Sequence, residues 1–155
     1  MLGGHEGQLL TLENYNGGDI VHTRWNWDDG AFSTIKQILL QVTDREIGSI
    51  QIEYCGKNGE SIVSKWHGDF DHVIDKIELD YPDEFLTRMT GFHSFRDDIS
   101  DHNVRSLCFY SNRRMYGPFG YEEGTYFDSG TYGKIVGFHG CETHLLDAIG
   151  LYVEN

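Results

Sequence analysis

Proline is almost missing from this chain, with two residues in 155. Cysteine is sparse, at three, and basic residues are outnumbered: Lys plus Arg is 12 and Asp plus Glu is 25, a formal charge of −13. Each shortage excludes something. An odd set of widely spaced cysteines, Cys55, Cys108 and Cys141, fits neither a disulfide framework nor a CxxC zinc site. A polyanion is repelled by phosphate backbones and acidic headgroups, so nucleic acid and membrane surfaces are poor partners. No apolar run approaches the ~18 residues of a membrane span. The opening "MLGGHEGQLL" has neither a basic leader nor a long apolar stretch, and no Asn-x-Ser/Thr acceptor occurs. The expectation is a cytoplasmic or nuclear protein. Sustained helical periodicity is lacking too. "DEFLTRM" and "ETHLLDAI" are the only short helix candidates, each closely followed by glycine.

What is present is alternation with a period of two. "SIQIEY" sets Ile50, Ile52 and Tyr54 on one face, "KIELDY" sets Ile77, Leu79 and Tyr81, and "AIGLYV" sets Ile149, Leu151 and Val153. "RSLCFYSN" offers Leu107 and Phe109. Half-buried strands separated by Gly, Asp and Asn turns predict antiparallel sheets with one wet face, in an all-β sandwich, barrel or prism. "IGSIQIEYCGKNGES", "IDKIELDYPDEFLTRMTGF" and "VRSLCFYSNRRMYGPFG" echo one another as three hairpin units, which suits a threefold arrangement. The first thirty residues differ. They are Gly-rich, with Trp25 and Trp27 just before "DDG", and read as a segment that packs late or stays partly mobile.

Six phrases in series carry a resemblance: "WDDGAFSTIKQILL", "GSIQIEY", "DKIELDYPDEFLTRMTGF", "VRSLCFYSN", "YGPFGYEEGTYF" and "GKIVGFHG…LLDAIGLYV". Together they resemble a plant jacalin-related lectin domain, from about Trp27 to the C-terminus. Residues 1–26 form a divergent Gly-rich lead within one domain over 1–155. The resemblance implies a β-prism of three four-stranded Greek-key sheets around a pseudo-threefold axis. It also implies carbohydrate binding without metal, cofactor or catalysis. The sugar would lie at one end of the prism, between a Gly-rich loop after the first strand and a Gly-x-x-x-Asp loop between the last two strands.

A hexose presents neighbouring hydroxyls that donate to a carboxylate and accept from peptide N–H groups, so an acid flanked by backbone amides is suitable chemistry. Carried onto this sequence, the resemblance makes Asp147 the acceptor and gives the amides to His144 and Leu145. Thr143 stands where the family has glycine; if that position needs positive φ, a β-branched residue there is strained. Of two upstream glycine stretches, "NGGD" is favoured over "GGHEG", assigning Gly17 and Gly18, and "DIVHTRWN" becomes an insertion read as a surface excursion. A third wall maps to Asp101 and His102. Galactose-preferring relatives resemble processed chains with a free glycine amine beside the sugar. Here the chain runs on through "YNGGDIV", which argues for mannose or glucose. The matching loop of the first repeat has Gly48 where a second acid would stand, so one site per chain is expected.

Other readings compete for some of these residues. "WHGDFDH" gathers His67, Asp69, Asp71 and His72, which could ligate a metal but read better as a solvated acidic turn. Glycosidase chemistry needs two carboxylates across a cleft, and nothing marks such a pair. Cys141, Glu142 and His144 lack the orienting third group of a thiol nucleophile. "CETHLLDAIG" also reads as a short helix with Asp147 exposed, although the alternation beyond it favours a strand. With a degraded sugar loop, the fold would instead serve as a protein-interaction module. Shallow monovalent sites bind weakly, so a homo-oligomer, dimer or tetramer, is expected.

Overall fold

A computed structural model describes residues 9–12, 22–68, 74–94 and 103–155. Among them the chain forms β1 (Leu9–Leu12), β2 (His22–Ala31), β3 (Thr34–Val42), β4 (Ile47–Cys55), β5 (Ser61–Val63) and β6 (Ile74–Glu78). Then follow β7 (Leu86–His93), β8 (Val104–Ser111), β9 (Met115–Gly120), β10 (Thr125–Asp128), β11 (Lys134–Glu142) and β12 (Leu146–Glu154). No described residue is helical. "DEFLTRM" runs into β7, and "ETHLLDAI" is a turn leading into β12. Both corrections have one cause: Leu86 and Leu146 are fully buried under sheet neighbours, and tertiary pairing overrides weak local helix preference.

The strands make three four-stranded antiparallel sheets, ordered β5-β4-β3-β6, β10-β7-β8-β9 and β1-β2-β11-β12. In the first two, the fourth strand returns beside the first, which is the Greek-key order. The third sheet is built from both ends of the chain. Its β2 takes the fourth-strand place beside β11, whereas β1 pairs outside β2, leaving β12 at an edge. The three sheets wall in a single apolar interior: Ile35, Ile38, Ile50, Ile52 and Tyr54 from one, Leu86, Leu107 and Phe109 from the next, Ile135, Phe138 and Leu146 from the last. The inward faces expected for β4 and β8 are correct. Tyr81 is not inward; it lies beyond β6 and is exposed. The hairpin echo is out of phase, because β6 and β7 belong to different sheets.

The true repeat shows in the irregularities. Each central hairpin has an extra residue at both ends of its ladder, and the pairs match: Lys36 and Gly48 in β3/β4, Thr87 and Arg105 in β7/β8, Val136 and Asp147 in β11/β12. Bulges bend and twist a strand, so three identical sets curve three sheets equally into a closed prism. "WNWDDGA" is part of the third sheet. It lies in β2, held between β1 and β11, with Trp27 buried in the core. The expected excursion "DIVHTRWN" therefore ends as strand from His22 onward.

Candidate functional site

β11 and β12 are joined by the three-residue turn Thr143–Leu145, closed by the Thr143 N–H donating to Leu145 O at 3.1 Å. His144 is exposed at its tip. The amides of His144 and Leu145 have no acceptor among the described residues. Two positions on, Asp147 is the extra residue of the bulge between the pairs Cys141–Ala148 and Glu142–Leu146. It faces the interior end of the prism, where it is only 4% exposed. Burial of a carboxylate demands donors. The Thr143 hydroxyl supplies one, donating to Asp147 Oδ1 at 3.3 Å. Thr143, at the position where strain was expected, thus bonds the acid. Replacing Thr143 by Val should cost ~1 kcal/mol of stability for the lost hydrogen bond, read as a lower melting temperature.

Asp147 lines a hollow of about 270 Å³ with His93, Val104, Phe127, Ala148 and Ile149. Nothing in the sequence marks His93, Val104 and Phe127 as neighbours of the acid. They come from β7, β8 and β10, and only the sheet pairing brings them beside β12. Gly17, Gly18, Asp101 and His102 lie outside the described residues. The strand ends flanking those segments do converge on this end of the prism. Leu12 pairs with His22 beyond the Glu142–Trp25 pair, and His93 pairs with Val104 on the hollow's rim.

The three equivalent bulges differ in a way that singles out Asp147. At the first, Gly68 adopts φ +94° and packs so close that a Cβ there would lie 2.2 Å from Gly48 O. At the second, Gly120 does the same at φ +88°, with a Cβ 2.4 Å from Arg105 O. At the third, no described strand pairs along the outer edge of β12. Two bulges are roofed and lack an acid; the third carries the acid and opens on the hollow.

Behind the turn lies a buried polar chain. His67 is 1% exposed, which overturns the solvated-turn reading of "WHGDFDH" for this residue; Asp69, Asp71 and His72 lie outside the described residues. Its ring stacks on Trp27 at 3.7 Å and 8°. Its Nε2 lies 2.8 Å from Asp29 Oδ1, and Asp29 Oδ2 accepts from the Tyr54 hydroxyl at 2.6 Å. His67 Nδ1 is 3.7 Å from Glu142 Oε2, an ion-pair distance, and Glu142 Oε1 accepts the Gly68 N–H at 2.7 Å. Burial alone would lower the His67 pKa, but hydrogen bonding and charge from Asp29 and Glu142 outweigh it and raise it above the ordinary value. Burial and Asp29 push the Tyr54 hydroxyl far up, so it stays a donor. Among the described residues, no three His, Cys, Asp or Glu side chains are grouped to hold a metal.

Comparison with known proteins agrees with this geometry. The family model for the jacalin-like lectin domain matches residues 16–152. The chain is 44% identical over 153 residues to jacalin-related lectin 3 of Arabidopsis thaliana, covering 96% of this chain and 24% of that protein. It therefore spans about a quarter of that relative's length. Among solved structures, the mannose-binding lectin from champedak superposes with a TM-score of 0.75 at 36% identity, covering 99% of this chain and 95% of that one. Frutalin from Artocarpus incisa, in complex with galactose, gives 0.74 at 35% identity, covering 83% and 97%.

Proposed function

The chain belongs to the jacalin-like lectin family, and from that premise we propose that it is a mannose- or glucose-preferring lectin with one hexose site. Asp147 accepts from two adjacent hydroxyls, the His144 and Leu145 amides donate to the same oxygens, and Gly18, beside Gly17, adds a donor from the facing loop. Thr143 steadies the acid; Asp101 and His102 form the third wall. The observation that carries the reading is the third bulge: of three equivalent positions, Asp147 alone sets a carboxylate at a hollow, and no described strand pairs along its outer edge.

Preference for mannose or glucose rests on chain continuity. Gly17 and Gly18 sit inside "YNGGDIV", so no terminal amine stands beside them to meet a galactose hydroxyl. The match to the champedak mannose-binding lectin extends over nearly the whole chain, while that to galactose-bound frutalin covers less of it. Calorimetric titration with methyl α-mannoside and methyl α-galactoside tests this. Mannoside is expected to bind with Kd on the order of 1 mM, ~−4 kcal/mol, and galactoside at least tenfold more weakly. The reverse order sinks the preference. So weak a site gains from valency, and a cytoplasmic dimer or tetramer is the functional form. Light scattering is expected to give a multiple of the 17.8 kDa chain mass.

A further inference from the structure

A second hollow among the described residues is larger than the one at Asp147. It is an open depression of about 460 Å³ on the outer face of β2, β11 and β12, lined among others by Asn26, Asp28, His139, Gly150 and Tyr152. Its floor is low because two positions on this face carry little or no side chain: Ala148 and Gly150. The His139 ring lies directly over Gly150, where a Cβ would stand 2.5 Å from it and displace it.

The walls hold unsatisfied hydrogen-bonding capacity. Asp28 Oδ1 accepts from Gly30 N at 2.9 Å and Oδ2 from the Tyr152 hydroxyl at 2.8 Å, leaving each carboxylate oxygen a second lone pair. Asn26 Oδ1 accepts from the Cys141 thiol at 3.0 Å, and its amide nitrogen has no acceptor among the described residues. Neither ring nitrogen of His139 is hydrogen-bonded there, and the ring leans on Tyr152 at 5.1 Å between centroids. Donors, acceptors and an aromatic wall over a flat floor suit a neutral polyhydroxylated ring. An anion is disfavoured by Asp28 and by the chain's charge of −13.

This depression adjoins the Asp147 hollow. Ala148 and Ile149 line both, with β12 as the divide, and no described strand pairs beyond it. From Ala148 to Gly150 is about 7 Å along a strand, a step a glycosidic linkage spans. We propose that the outer face of β2, β11 and β12 is a second sugar subsite, which takes the next residues of an oligosaccharide whose terminal hexose is held at Asp147. The preferred ligand is then a chain of neutral hexoses rather than a single one. The orientation relative to Asp147 rests on the function proposed above; the subsite itself does not.

The test is an amide NMR titration of the full chain with methyl α-mannoside and with a linear α-linked mannotriose. The monosaccharide is expected to shift the amides of residues 144–148 only. The trisaccharide should also shift Gly140 and Gly150 and bind about tenfold tighter, ~1.4 kcal/mol. The double variant Asn26→Ala, His139→Ala should erase that margin while leaving the monosaccharide affinity unchanged; Tyr152→Phe, a milder change, should reduce it. Trisaccharide shifts at Gly140 and Gly150 that persist without any response at Asp147 support the subsite and sink the Asp147 reading instead. No shift at Gly140 and Gly150, or a margin that survives the double variant, overturns the subsite. So do shifts at those glycines that grow with protein concentration alone, which would make this face a contact between copies.

Discussion

Asp147→Asn is expected to abolish measurable monosaccharide binding while leaving the fold in place. In the proposed site the carboxylate accepts from two sugar hydroxyls as charge-assisted bonds, each ~1.5–3 kcal/mol. An amide of the same shape keeps one acceptor and turns a donor toward groups that also donate. A loss of ~3 kcal/mol is more than 100-fold, and from a starting Kd on the order of 1 mM it leaves nothing for calorimetry to detect. Stability should barely move. The oxygen of the substituted amide can still accept from the Thr143 hydroxyl, which in the wild type donates to Asp147 Oδ1 at 3.3 Å. The melting temperature of the variant is the control. Retained affinity with an unchanged fold would remove Asp147 from the site.

His67→Ala carries the second large effect, on stability. The side chain lies within the core between Asp29, Glu142 and the Trp27 face, 1% exposed. Removing it strands Asp29, itself 4% exposed, with the Tyr54 hydroxyl as its remaining side-chain partner. Breaking a buried pair from one side typically costs about 3–5 kcal/mol. For a chain of this size that is a fall of roughly 10 °C or more in melting temperature. The pH dependence has a definite sign. His67 has a pKa raised above its ordinary value by Asp29 and Glu142 against the opposing effect of burial. Its ion-pair contribution is therefore complete below the unfolded value of about 6.5 and is lost as pH rises through the folded value. Wild type should lose stability over that window, and His67→Gln, which cannot take up the proton, should lack that component. Identical pH profiles would mean that His67 stays neutral.

How much of this is legible in the sequence follows from which residues depend on near neighbours. The odd-numbered face of Ile149, Leu151 and Val153 extends back to Asp147, so the inward direction of the acid is implicit in the alternation. The bulge that makes both Leu146 and Asp147 buried is not, because an extra residue in a ladder leaves no mark on composition. His67 misleads for a related reason. Flanked by glycine and acids, it resembles a solvated turn. Its burial is set by Asp29, 38 residues away in sequence, and by Glu142, which lies farther still. The threefold repeat is visible in the sequence but its phase is not, since strand spacing is regular whether or not neighbouring strands share a sheet. Edge position, with no described strand beyond β12 while β4 and β8 each have an outer neighbour, is a property of the sheet pairing alone.

A crystal of the full chain soaked in methyl α-mannoside shows most directly where the hexose goes. The ring should be found in the hollow beside β12, two adjacent hydroxyls on Asp147 and their oxygens facing the amides of His144 and Leu145. Density for the sugar at any other place with this hollow empty, or a ring here that Asp147 does not touch, contradicts a carboxylate-centred site.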